Sequence, residues 1–177
     1  PFALFVSWHP PHDWGHQETD PPEVVYRYAT EPDLEARYDP ASLTLRPGTE
    51  ETPAVRNAYH GHMAMCTGVD RSFGRILDKL KERGLDENTI VVFTADHGDM
   101  LNFAGYNMPK STPHDYSARV PLLIRLPKGE RGGTASDLLI GALDLPATLL
   151  GLMGLPVPRE FQGRDFSAAI RSGDEDA

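Results

Sequence analysis

Residues Thr89-Ile90-Val91-Val92-Phe93-Thr94-Ala95 form a nearly unbroken apolar, β-branched run, followed at once by Asp96-His97-Gly98-Asp99. Without polar alternation, both faces of the strand this run predicts must be covered, as at the centre of a parallel sheet. The preceding segment predicts one cover. Thr52-Pro53 is an N-cap followed by a first helical residue. Tyr59, Met63, Cys66, Val69, Phe73, Ile76, Leu77 and Leu80 then recur every three or four residues, with Arg71, Arg75, Lys79, Lys81 and Arg83 mostly between them. Gly84 supplies the left-handed residue that ends such a helix. A long helix leading into a buried strand is half of a βαβ unit, so the fold class is α/β, a mostly parallel sheet flanked by helices.

Other segments extend this plan. Pro1-Phe2-Ala3-Leu4-Phe5-Val6-Ser7-Trp8 reads as a further buried strand, ended by His9-Pro10-Pro11-His12 because two prolines cannot continue a ladder. No initiator Met or polar lead-in precedes it, so the reading is of a fragment, or the ordered part of something longer. Residues 13–52 are rich in Pro, Asp, Glu and Tyr and read as a long surface loop with one short helical turn, kept extended by Pro21-Pro22 and Pro32. Residues 100–118 form a second irregular loop. Val120-Pro121-Leu122-Leu123-Ile124-Arg125-Leu126 predicts a strand, Lys128 to Thr134 a Gly-rich turn, Ser136 to Leu139 a short strand, and Asp144 or Leu145 to about Met153 a helix. The tail from Pro156 is punctuated by Pro and Gly, and its acidic end, Asp174-Glu175-Asp176, reads as solvated.

Composition narrows the function. A net charge of −9 argues against nucleic acid as a partner. No apolar run approaches the ~18 residues of a membrane span. The single cysteine, Cys66, excludes an intrachain disulfide, leaves the compartment open, and lies on the helix's apolar stripe as a structural residue. His60 and His62 read as ordinary helix residues.

Two polar groups stand where α/β sheets bind ligands, beyond the ends of the predicted strands. Asp96 and His97 pair a carboxylate with an imidazole, donors suited to a divalent cation of borderline hardness. Alternatively Asp96 caps a following helix and His97 lies on the surface. His12 can bind an anionic oxygen or protonate a leaving group, or simply pack against Trp14. Lys110 can hold a sulfate or phosphate oxygen as a point charge, or be solvated. There is no Gly-x-Ser-x-Gly elbow and no P-loop, and nothing identifies a base for Ser111 or Thr112, which lie beside Lys110.

Several blocks together resemble the sulfatases. They are Leu4 through His12, Gly74 through Leu80, Asp86 through Asp99, Lys110 through Pro121, and Asp144-Leu145-Pro146-Ala147-Thr148-Leu149-Leu150. Their order and spacing span nearly the whole chain, and the 13–52 loop matches less well. The resemblance implies an alkaline-phosphatase-like α/β fold, here incomplete, with residues 1–177 as part of a catalytic domain. It implies a divalent ion, Ca²⁺ first, held in part by Asp96 and His97, and sulfate oxygens contacted by His12 and Lys110. Many sulfatases carry Asn after the metal Asp. His97 is similar to phosphonate- and phosphodiester-cleaving relatives and some bacterial sulfatases, and its softer donor admits Mn²⁺.

The family's first metal carboxylates and its formylglycine, made from Cys or Ser in a C/S-x-P-x-R motif, lie near its N-terminus; neither is in this sequence, and Cys66-Thr67-Gly68-Val69-Asp70 does not fit. The usual C-terminal subdomain is also missing. The expected parent activity is metal-dependent hydrolysis of sulfate esters on a small molecule or glycan, with this chain inactive alone and prone to self-association through exposed sheet edges. A phosphodiester or phosphonate monoester hydrolase, a non-catalytic metal- or anion-binding module and a purely structural α/β domain remain open.

Overall fold

A computed structural model describes residues 2–15, 18, 27–101, 103 and 110–174. Parts of both long loops, Pro21-Pro22 included, lie outside these residues, as does the acidic end beyond Asp174. The chain divides into two compact units, Pro1–Glu82 with Thr94–Pro121, and Arg83–Phe93 with Leu122–Ala177.

The first unit is built on a 30-residue helix. Following the short helix α1 (Pro32–Glu35) and a 3₁₀ turn (Pro40–Ser42), helix α2 runs from Pro53 to Glu82. Its start is as the sequence predicts: Thr52 Oγ1 accepts a hydrogen bond from the Val55 N–H at 3.2 Å, and Pro53 occupies the first turn, where no N–H is needed. Gly84, at φ +63°, lies just beyond its end. The buried face differs in part from the predicted stripe. Val55, Ala58, Tyr59, Gly61, Ala64 and Met65 are buried, whereas Met63 is exposed. Tyr28 and Leu101 pack with Val55, Ala58, Tyr59 and Met65, and Leu43 and Leu45 line that core. The 13–52 loop thus contributes core rather than only surface. It is pinned by Arg56, whose guanidinium donates to the carbonyls of Pro40, Ala41 and Leu43, and by His60, whose Nε2 lies 2.9 Å from the Glu35 carbonyl.

In the second unit, strand β1 (Val91–Thr94) pairs with β2 (Leu122–Arg125) in one two-stranded sheet; Thr94, the last residue of β1, passes into the first unit. Helix α4 (Asp144–Leu152) packs on α5 (Ser167–Ser172), burying Ala147, Thr148, Leu152, Phe166 and Ala169. The buried Thr148 hydroxyl is satisfied, accepting from the Phe166 N–H at 3.1 Å and donating to the Arg164 carbonyl at 3.4 Å. The N–H groups of Arg164 and Gly141 hold the Asp144 carboxyl below the usual carboxylate range, so this tie is present above that range and weakens as pH falls through it. A four-residue helical turn, α3 (Asp115–Ala118), interrupts the 100–118 loop of the first unit.

Several expectations are corrected. Among the described residues the α/β chain has one short sheet of two strands, with helices beside it in sequence. Residues 2–9 form no strand, and Phe5 is 89% exposed. An apolar sequence becomes a strand only where neighbours take up its N–H and C=O groups, and no described residue does so here. Ser136 to Leu139 likewise form no strand, and Leu139 is 93% exposed. In the tail, α5 was not anticipated: six residues are too few for a periodic signal, and α5 is stabilised by packing on α4. Its end is closed by Gly173 at φ +76°, whose N–H reaches the Ala169 carbonyl.

Two glycines of α2 separate packing from propensity. A Cβ on Gly61 would collide with the Tyr28 carbonyl, whereas one on Gly74 meets nothing. Gly61→Ala should cost about 1–3 kcal/mol in urea unfolding. Gly74→Ala should add roughly 0.5–1 kcal/mol through helix propensity. Equal effects at the two positions would contradict this packing.

Candidate anion and metal site

The site lies within the first unit, on two turns and one loop. In the first turn the His12 N–H donates to the His9 carbonyl at 3.0 Å, bringing the two imidazole rings to 4.9 Å, with His9 stacked on Trp14 at 4.8 Å. Asp13, next in sequence, is buried. Its Oδ1 accepts from the Gly15 N–H at 2.7 Å, and its Oδ2 lies 3.3 Å from His12 Nδ1.

The second turn is Asp96-His97-Gly98-Asp99, which leaves β1. The Gly98 N–H donates to the Ser117 carbonyl at 2.7 Å, and its α-carbon lies so near the Tyr116 carbonyl that any Cβ would collide. Asp99 is tied inward: Tyr28 Oη donates to its Oδ2 at 2.7 Å, the Leu101 N–H to its Oδ1 at 2.9 Å, and Arg46 Nη1 to its carbonyl at 2.6 Å. Arg46 itself lies over the Tyr116 ring at 4.3 Å. With both neighbours held, His97 is half-buried and Asp96 is 89% exposed. No helix follows Asp96, so the helix-cap alternative fails; its Oδ1 instead accepts the His97 N–H at 3.0 Å.

Lys110 joins the two turns. Its Nζ lies 2.5 Å from His12 Nε2 and 3.0 Å from His97 Nε2. The structure therefore unites His12, His97 and Lys110, residues 98 positions apart at the extremes. The next residue, Ser111, has φ +71°, a left-handed conformation that costs a non-glycine residue about 1 kcal/mol.

These contacts assign the protons. An ammonium has only donors, so each Nε2 facing it must present a lone pair. Each Nδ1 then carries the hydrogen and donates to a main-chain carbonyl, His12 to Asp13 at 2.8 Å and His97 to Gly98 at 2.7 Å. Carbonyl-oriented imidazoles with a free Nε2 are the arrangement that metal-binding histidines use.

Asp96 Oδ2 and His97 Nε2 are 3.7 Å apart. Two donors on one ion at ordinary bond lengths stand roughly 3–4 Å apart, so the pair fits two positions of a divalent centre. Among the described residues no group of three or more His, Cys, Asp or Glu forms a complete metal site.

Other groups have structural roles. Cys66 is half-buried, and its thiol is pushed up to about 11 by burial, then by the Asp99 charge. His62 packs edge-on against Tyr28 at 5.5 Å, and burial pushes its pKa below the usual histidine value. Sequence reasoning missed Asp13, Arg46 and Asp99 as supports. Their only signal was adjacency to His12 and to the Asp-His-Gly-Asp turn, and Arg46 had none.

A nitrogen-15 NMR spectrum of the histidine side chains at neutral pH should place the proton of His12 and of His97 on Nδ1, and Lys110→Met should broaden or split both signals. An Nε2–H tautomer at either residue would contradict the assignment.

The Sulfatase family model matches residues 1–155. The endo-4-O-sulfatase of Bacteroides thetaiotaomicron is 36% identical over 169 residues, covering 94% of this chain and 32% of its own. This chain spans about a third or less of the curated relatives it matches. A solved structure from the glycosaminoglycan-metabolising core genetic locus of the same bacterium superposes with a TM-score of 0.73 and 36% identity, over 80% of this chain and 29% of that one. The phosphonate monoester hydrolase of Silicibacter pomeroyi superposes with a TM-score of 0.62 and 29% identity, over 78% and 28%. With the family model covering most of its length and a sulfatase matched nearly end to end, the chain belongs to the sulfatase family.

Proposed function

We propose that this chain carries part of the centre of a sulfuric ester hydrolase, with Lys110 and His12 contacting sulfate oxygens and Asp96 and His97 as two ligands of a divalent ion. The observation that carries this reading is the Lys110 ammonium set against two imidazole lone pairs, with the exposed Asp96 carboxylate beside one of them. Ca²⁺ is the first candidate, and the imidazole donor makes Mn²⁺ the second. The substrate class is a sulfated glycan, a reading supported by the names of the relatives. The remaining ligands and the formylglycine are assigned to the rest of a chain about three times as long, as in those relatives, with residues 1–177 as part of its catalytic domain.

The ion would draw charge from the sulfate oxygens and formylglycine would supply the attacking oxygen. The chain's own residues bind and move protons. Lys110 has three N–H groups; two face His12 and His97, leaving one for a sulfate oxygen. A fixed cation there offsets the charge that develops in the transition state. His12 works at Nε2: when Lys110 turns to the sulfate, that lone pair takes a proton from solvent, with the buried Asp13 carboxylate behind the charged ring, and passes it to the departing alcohol oxygen. His97 and Asp96, held by the Gly98 carbonyl and the turn, need little reorganisation to ligate.

A second reading, a phosphonate monoester hydrolase, draws support from His97 and from the superposed enzyme of that class. Kinetics on the natural full-length chain test both. With 4-nitrophenyl sulfate, Lys110→Ala and His12→Ala should each lower kcat about 10²–10³-fold, and Asp96→Ala should lose metal and turnover together. Unchanged kcat in the Lys110 and His12 variants would refute their roles, and a preference for phenylphosphonate esters over sulfate esters would select the second reading.

A further inference from the structure

His97 has one lone pair to give. Its Nδ1–H is engaged with the Gly98 carbonyl at 2.7 Å, so Nε2 is its sole acceptor, and the Lys110 ammonium lies 3.0 Å from that atom. The same Nε2 is 3.7 Å from Asp96 Oδ2, the other proposed ligand. An imidazole lone pair takes one cation at a time, so a divalent ion at His97 must displace the Lys110 N–H that points there. Lys110 is not thereby set loose, because its 2.5 Å contact with His12 Nε2 is separate.

We infer that Lys110 and the divalent ion compete for His97 Nε2, and that the ion's arrival turns one Lys110 N–H from His97 to the sulfate oxygens. This rests on the reading of Asp96 and His97 as metal ligands. Metal and anion then bind with positive coupling. The ion frees a donor that the anion uses, and by reciprocity the anion draws Lys110 off His97 and tightens the ion. The centre therefore gains its full anion affinity only when metallated.

The test uses Mn²⁺ alone and Mn²⁺ with inorganic sulfate, titrated into the natural full-length chain by calorimetry. A charge-assisted hydrogen bond lost from the competing state predicts Mn²⁺ binding at least ~10-fold tighter in Lys110→Met than in wild type without sulfate. Lys110→Gln should shift the same way, guarding against a folding defect in either variant. Sulfate should tighten Mn²⁺ severalfold more in wild type than in Lys110→Met, where only its direct contact with the ion remains. Without metal, Lys110→Met should also shift the His97 Nε2 nitrogen-15 signal, as a lone pair does when it loses an N–H partner; through-space repulsion alone would leave that signal in place. Equal or weaker Mn²⁺ binding in both variants overturns the competition, as does a His97 Nε2 signal that Lys110→Met leaves in place. Wild-type affinity retained in His97→Ala refutes the metal reading itself, and the inference with it.

Discussion

The close approach of Gly98 to the Tyr116–Ser117 backbone is the constraint on which the site depends. It holds the turn after β1 against α3, and the residues on either side of the glycine divide their work accordingly. Asp99 is drawn inward by Tyr28 and by the Leu101 N–H, into the same packing that covers the first half of α2. His97 and Asp96 are left on the outer side, one half-buried and one in water. Any side chain at position 98 would push the turn away from Tyr116 and move both proposed ligands.

The second feature of the site is its electrostatic economy. An ammonium between two neutral imidazoles satisfies its donors without a carboxylate, so Lys110 keeps its full charge for an anion rather than spending it on an ion pair. Two carboxylates approach the imidazoles: Asp13 lies behind His12, on the side away from Lys110, and the exposed Asp96 lies 3.7 Å from His97 Nε2. His12, Lys110, Asp96 and His97, with the roles proposed for them, thus converge from segments far apart in the chain.

The parts visible in the sequence were those with a strong local cause. Thr52-Pro53, the apolar periodicity and Gly84 gave α2 almost to the residue, and the β-branched run gave β1. Asp144-Leu145-Pro146 gave α4. What failed depended on partners. Phe2 to Trp8 has the composition of a strand but no hydrogen-bonding neighbour among the described residues, and α5 forms because α4 covers it. For the site, His12, Asp96, His97 and Lys110 stood out by residue type and by resemblance to sulfatases. Their union by Lys110 was not legible, because a long-range contact leaves no periodic trace. Arg46, which braces Asp99 from 53 residues away, carried no local signal at all.

The central claim is that Asp96 and His97 ligate a divalent ion directly beside Lys110 and His12. It is tested most directly by an anomalous-scattering map of crystals of the natural full-length chain soaked in Mn²⁺. The account predicts a peak bonded to a carboxylate oxygen of Asp96 and to His97 Nε2, with the remaining ligands from elsewhere in that chain. A bound Mn²⁺ that touches neither residue would contradict it.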